Sequence, residues 1–194
     1  ASDAWRDEAA RRVAHGAGDI LDNVETFDTL ADALADVDFT IATTARSRAK
    51  FHYYATPQQL LPLLEEKRQW LTRCALVFGR EDSGLTNDEL ALADVLPVVN
   101  MLADYPSLNL GQAVMVYCYQ LSSLMQLAPV SVSSGEANQL QALRLRVTSL
   151  LERLEVSDDV KMADWLSQRL GLLEQRDTAM LHRLLHDIEK KLPE

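Results

Sequence analysis

The sequence predicts an α/β protein: a mostly parallel sheet with helices on its faces, followed by an all-helical C-terminal extension. Three observations predict it. Up to about residue 128, short apolar runs alternate with helical patterns, the order expected of strand–helix–strand units. The stretch ending at Asn138, APVSVSSGEAN, is rich in Pro, Ser and Gly and reads as a linker. Beyond it no strand pattern recurs, and three apolar stripes keep helical spacing. The expected domains are thus 1–128, a linker over 129–138 and a helical extension over 139–194.

The elements follow in order. The chain opens on a helix-like, Arg-rich segment from Trp5 to His15, where a parallel domain usually begins with a buried strand. Asn23 to Phe27 reads as a weak strand, and Thr29 to Ala35 as a short helix capped by Thr29. Val37 to Ile41 alternates with period two, which predicts a half-buried strand. Pro57 to Gln69 is a helix with Thr56 as cap and proline in its first turn. Ala75 to Phe78 is a continuous apolar run ending at Gly79, the pattern of a fully buried parallel strand. Thr86 to Ala93 is a short helix, and Thr86 with Glu89 forms a capping box. Val95 to Val99 is a strand broken by Pro97, expected to be short or near an edge. Leu108 to Leu127 is a long apolar helix with Ser107 as its expected cap. The extension carries helical stripes through Leu140, Leu143 and Val147, then Met162, Trp165 and Leu166, then Leu181, Leu185 and Ile188.

Composition bounds the function. The chain has 194 residues, 47% apolar and 25% charged, which is ordinary globular usage. It holds no apolar run of membrane-spanning length, and its first residues lack the apolar core of a signal peptide. Two cysteines, Cys74 and Cys118, exclude a disulfide framework and fit a reducing, cytoplasmic setting. His182 and His186 share a helix face but imply no third ligand, so no metal is expected. The net charge of −10 argues against non-specific nucleic-acid binding, yet it averages over an asymmetry. Residues 19–38 carry seven acids and no base, whereas residues 44–80 carry seven bases and two acids. A local basic face can therefore sit on an acidic chain.

No GxGxxG, P-loop, HExxH or GxSxG signature occurs. Three loops stand out because each lies at a strand end or opens a helix, where open α/β sheets bind ligands. They are Thr43 to Arg48, Gly79 to Thr86, and Tyr105 to Gly111. Each alone also reads as an ordinary polar loop. Together they describe a pocket for a small ligand with ribose-like or carboxylate groups.

The wording of these loops carries a resemblance. Leu76-Val77-Phe78-Gly79-Arg80-Glu81-Asp82-Ser83-Gly84-Leu85-Thr86-Asn87, followed by Pro106-Ser107-Leu108-Asn109-Leu110-Gly111-Gln112-Ala113-Val114, resembles the second and third motifs of the TrmH-type SPOUT RNA methyltransferases. Thr44-Ala45-Arg46-Ser47-Arg48 resembles the corresponding loop of the TrmJ-like subgroup. The resemblance implies a SPOUT-type parallel sheet with a C-terminal trefoil knot, S-adenosyl-L-methionine as cofactor, and a homodimer. It implies methyl transfer to a ribose 2′-hydroxyl of tRNA or rRNA, with tRNA preferred because of the TrmJ-like loop. Cofactor-binding positions implied are Thr44, Ala45, Arg46, Phe78, Gly79, Glu81, Gly84, Val98, Val99, Met101, Ser107, Leu108 and Asn109. Glu81, Ser107 and Asn109 are implied at the catalytic centre.

RNA contacts are expected from the basic stretch, through Arg46, Arg48, Lys50 and Arg80. Tyr53 and Tyr54 just beyond it are candidates for base stacking or for packing. The family's first motif, an Asn and an Arg on an opening strand–loop–helix, has no counterpart in the sequence. The alternatives are a non-catalytic module of the same fold that binds the cofactor or RNA, and a protein that works through its helical extension.

Overall fold

The computed structural model describes residues 4–44, 54–99, 108–127 and 139–192. The chain divides into two compact units, 1–35 and 36–194. The first unit holds a short 3-10 helix, Ala4–Arg6, and helices α1 (Glu8–Val13), α2 (Gly18–Asp22) and α3 (Leu30–Ala33). The Thr29 hydroxyl accepts from the Asp32 N–H, so Thr29 caps α3 as its sequence position predicts. Arg11 pairs with Asp22 within this unit. The strand expected at Asn23 to Phe27 is absent: residues 24–27 have no regular structure. Asn23 instead closes α2 by donating from its side chain to the Asp19 carbonyl.

The second unit holds strands β1 (Phe39–Ala42), β2 (Tyr54–Ala55), β3 (Cys74–Val77) and β4 (Leu96–Pro97). β1 pairs in parallel with β3, Phe39 opposite Cys74, and β2 pairs in parallel with β4. Isolated parallel bridges at Ile41–Val95 and Thr44–Val98 join the two pairs. The spatial order is therefore β3-β1-β4-β2, with every pairing parallel.

This order corrects three expectations. β1 is interior, so all four of its residues are buried, and its alternating sequence does not mark a solvent face. β3 has a strand on one side only among the described residues, so its apolar run is exposed to half-buried. Of the two expectations for β4, the strand is short, Leu96–Pro97, and it is not at the edge: Leu96 is 1% exposed and Pro97 is fully buried. The proline acts on the hydrogen bonds instead. Val95 donates to Thr40 O, so residue 97 would donate to Ala42 O, and proline has no N–H to do so. The β1–β4 contact is thus limited to isolated bridges, and Pro97 O accepts from Thr44 N and from the Tyr117 hydroxyl.

Helices flank this sheet: α4 (Pro57–Lys67), α5 (Asn87–Ala91), α6 (Leu110–Leu121, continued by a 3-10 turn at Ser122–Gln126), α7 (Gln139–Arg153), α8 (Val160–Leu172) and α9 (Gln175–Glu189). Thr56 and Gln59 form a full capping box on α4, and Thr86 and Glu89 form one on α5. One apolar core runs from Phe39, Ile41, Leu60 and Trp70 to Leu140, Leu143, Leu170 and Leu185. The C-terminal helices therefore share the core of the sheet.

They are fastened at the N-terminal ends of the strands. The Arg144 guanidinium of α7 pairs with Asp94, just before β4, and donates to Asp38 O, just before β1. The other Asp94 oxygen accepts from Thr40 N at 2.8 Å. Asp38 gathers Thr72 N, Thr72 Oγ1 and Arg73 N, each at 2.9 Å. The buried Lys67 ammonium bonds Leu173 O at the C-terminal end of α8 and lies over the Trp70 ring. A cation there is favoured by the helix dipole. Burial pushes the Lys67 ammonium below its ordinary value and pushes the Asp94 carboxyl above its own, although Arg144 opposes the latter.

Candidate active site

The opposite, C-terminal ends of the same strands carry the described parts of the loops singled out from sequence: Thr43 and Thr44 after β1 and the 79–86 loop after β3. Parallel strands bring their carboxyl ends to one edge, and ligands of open α/β sheets bind there. β1 runs out into Thr43 and Thr44. Thr43 donates from both N and Oγ1 to Val77 O at the end of β3, at 2.9 and 3.1 Å. Thr44 bridges to Val98 after β4. Thr44, Phe78, Val98 and Val99 are half-buried, giving this edge an apolar lining. The Phe78 ring meets Tyr117 of α6 edge-on, with centroids 5.7 Å apart.

β3 continues into Gly79 and a tight loop. Arg80 N donates to Gly84 O at 3.2 Å and Gly84 N returns to Arg80 O at 2.9 Å. A Cβ on Gly79 would lie 2.3 Å from the Gly84 carbonyl carbon, so only glycine lets the two arms of the loop meet. Gly84 has φ +70°. The closed loop presents Glu81, whose carboxylate accepts from Leu110 N at 2.9 Å at the start of α6. Asn109 caps the same helix through Oδ1, which accepts from Gly111 N at 2.9 Å. Two of the expected catalytic residues, 28 positions apart in the chain, are thus adjacent at one helix N-terminus. The cap belongs to Asn109, and Ser107 lies outside the described residues. Ala45, Arg46, Arg48, Lys50, Met101 and Tyr53 also lie outside them, as does the side chain of Tyr54.

Arg80 has a partner that spacing did not reveal. Its NH1 and NH2 donate to the two carboxylate oxygens of Glu89 at 3.0 and 2.8 Å, and NH1 also reaches Gly84 O. Glu89 is at the same time the capping-box residue of α5, accepting from Thr86 N at 2.8 Å. The Arg80 hydrogen bonds, then the Thr86 N–H, hold the Glu89 carboxyl down at about 2. Because Glu89 already matches its charge, Arg80 adds little net attraction for a phosphate.

A concavity of about 300 Å³ lies between α7 and α8 and is lined by Arg144, Thr148, Leu151, Glu152 and Leu166. It sits among the extension helices and holds none of the motif residues. Among the described residues no group of three or more His, Cys, Asp or Glu is placed to hold a metal ion. His182 Nδ1 accepts from Arg146 NH1 at 3.1 Å and its Nε2 donates to Gln139 O at 2.9 Å, between α7 and α9. No helix of the described residues is long and apolar enough to cross a membrane.

Comparison with known proteins gives these loops a lineage. The SpoU rRNA Methylase family model matches residues 1–119, which is more than half of the chain. The chain belongs to the SpoU rRNA methylase family. It is an RNA methyltransferase of that family. A second family model, the C-terminal domain of tRNA/rRNA methyltransferase LasT, matches residues 137–192. Among SpoU-family relatives, the uncharacterized tRNA/rRNA methyltransferase LasT of Escherichia coli (strain K12) is 69% identical over 191 residues, covering 98% of this chain and 84% of that protein. The LasT protein of Serratia marcescens is also 69% identical, covering 98% of both chains. The crystal structure of TrmJ from Z. mobilis ZM4 superposes with a TM-score of 0.67 at 26% identity, covering 96% of this chain and 83% of that one.

Proposed function

We propose that the protein is an S-adenosyl-L-methionine-dependent methyltransferase acting on a ribose 2′-hydroxyl of tRNA or rRNA. The observation that carries this reading is the convergence of Glu81 and Asn109 on the N-terminus of α6, at the C-terminal edge of the parallel sheet. A relative in the same family, from Citrobacter koseri, is named tRNA (cytidine/uridine-2′-O-)-methyltransferase TrmJ and is 39% identical over 115 residues. That name favours tRNA and the ribose oxygen.

The donor set suits the cofactor. Phe78, Val98, Val99 and Leu108 offer half-buried apolar surface for an adenine and a methionine chain. Thr44 and the backbone of Gly79 to Gly84 offer hydrogen-bonding groups for a ribose, and the space on the side-chain side of Gly84 is open. Ala45, Arg46, Met101 and Ser107 complete the proposed binding set. Bound S-adenosyl-L-methionine supplies a methyl group activated on a sulfonium. The residues of this chain do the rest. Asn109, with Oδ1 engaged by Gly111 N, offers Nδ2 as a donor to orient the acceptor ribose. Glu81 and Ser107 position groups around it, and alignment contributes a large share of the rate. Arg46, Arg48 and Lys50 hold the RNA backbone.

The reading extends to assembly. α6 leaves Met115 and Tyr119 exposed at 67% and 79%, an apolar helix face suited to a second copy of the chain. We assign the trefoil knot of the SPOUT enzymes to the segment around β4 and α6, and the site of action to the cytoplasm, where the RNA substrates reside.

The test incubates the full chain with methyl-labelled S-adenosyl-L-methionine and bulk tRNA or rRNA, then maps 2′-O-methyl positions. Label at a ribose oxygen, abolished by Asn109→Ala with the fold intact, is the expected result. Cofactor binding without transfer to any RNA would leave a non-catalytic module of the same fold. No cofactor binding at all would sink the reading.

A further inference from the structure

We propose that Glu89 is a positioning residue: with Arg80 it forms a latch that closes the 80–84 loop and thereby sets Glu81 against the start of α6. The inference deepens the methyltransferase reading and rests on it for its kinetic arm alone.

Three observations lead to it. First, the loop closes on itself through only two backbone bonds, between Arg80 and Gly84. Its residues 80–83 are exposed, so no apolar packing from the loop itself fixes its shape. Second, the Arg80 guanidinium spans the opening of this loop. It grips Gly84 O on one side and both oxygens of Glu89 on the other. A bidentate fork fixes orientation as well as distance, which a single ammonium contact would not. Third, Glu89 is itself immobilised. It sits in the first turn of α5, its backbone N–H donates to Thr86 Oγ1, and its carboxylate accepts from Thr86 N. Beneath it, Leu85 and Leu90 anchor the turn in the small core formed with Ala42 and Leu96. The rigid end of α5 is thus connected, through Glu89 and Arg80, to a loop whose next residue is Glu81.

The latch explains why a basic residue at the mouth of an RNA enzyme is already neutralised. Its charge holds the loop. It does not serve chiefly to attract phosphate. It also explains how an exposed carboxylate can be aimed. Glu81 reaches Leu110 N only if the loop keeps its closed form.

Glu89→Gln separates the roles. The amide oxygen can still accept from Thr86 N, so the cap of α5 holds, but one carboxylate oxygen and the charge are gone. Amide hydrogen exchange by NMR and steady-state methyl transfer, both on the full chain, read the result. The Leu110 amide should exchange about tenfold faster while the Glu89 and Leu90 amides stay as in the parent. The kcat should fall on the order of tenfold, with KM for RNA within about twofold, because alignment is lost and binding is not. From the other side of the latch, Arg80→Lys should retain more kcat than Arg80→Gln, since it keeps the charge without the fork. An unchanged kcat in Glu89→Gln overturns the positioning role, and an unchanged Leu110 exchange rate overturns the geometry behind it. If the unmodified protein transfers no methyl to any RNA, the methyltransferase reading fails. Leu110 exchange then still decides whether the latch aims Glu81.

Discussion

The two ends of one set of parallel strands use charge in opposite ways. At the N-terminal ends, Asp38, Asp94 and Lys67 are 7%, 6% and 2% exposed, and each is tied to backbone or to the extension helices. At the C-terminal ends, Arg80 and Glu81 are exposed and are held by a handful of hydrogen bonds. Strands of four residues separate the two ends by only about 13 Å. The difference teaches where stability and function sit. Buried charges must be satisfied within the fold, so the lower end is committed to structure. Exposed polar groups and close-packed glycine backbone keep capacity for a ligand, so the upper edge is free to work. The extension helices dock on the committed end, through Arg144 and Leu173.

The largest expected effect would break the comparison at its lower end. Asp94→Ala leaves Arg144 without its carboxylate and Thr40 N without its acceptor. Removing one partner of such a buried pair should cost about 3–5 kcal/mol. Urea denaturation measures it, and a loss below about 1 kcal/mol would show that the clamp is not structural. Next comes the upper edge. Gly79→Ala forces a Cβ into the Gly84 backbone and must open the loop. Methyl transfer should fall on the order of hundredfold while the far-ultraviolet circular dichroism stays native. Transfer within about twofold of the parent would remove this loop from the site.

The smallest effect tests the exposed pair directly. The Glu89 carboxyl titrates at about 2 in the fold, below its ordinary value of 4.5. A depressed carboxyl contributes stability above its unfolded value and loses it as pH falls through its folded one. The stability of the parent should therefore fall more steeply than that of Glu89→Gln between about pH 4.5 and 2. The difference should be small, because the pair is exposed and screened by salt. Identical pH profiles would show that Arg80 and Glu89 do not interact in solution.

Much of this is legible in the sequence. Thr29, Thr56 and Thr86 announce helix starts because capping is a local transaction between neighbours in the chain. The motif loops are legible as words, and the resemblance they carry points to Glu81 and Asn109. What local reasoning missed was long-range. The alternation of Val37 to Ile41 pointed to a half-buried strand, but β1 has a neighbour on each side and is buried throughout. Pro97 pointed to a short strand or an edge; β4 is short but lies inside, because the proline deletes only one ladder bond. Asn23 to Phe27 held too few apolar residues to pair with anything. The capping box at Thr86 and Glu89 was visible, but its second use as the partner of Arg80 was not.

The sequence by itself determined the helix caps at Thr29, Thr56 and Thr86, the α/β alternation and the C-terminal helices, because each depends on periodicity or on neighbours a few positions apart. The tertiary structure alone decided strand order, which carboxylates are buried, that Arg144 fastens the extension to the strand starts, and that Arg80 is spent on Glu89. Those outcomes depend on groups from 9 to 106 residues apart, such as Arg80 with Glu89 and Arg144 with Asp38, and no local pattern records who meets whom when the chain closes on its core.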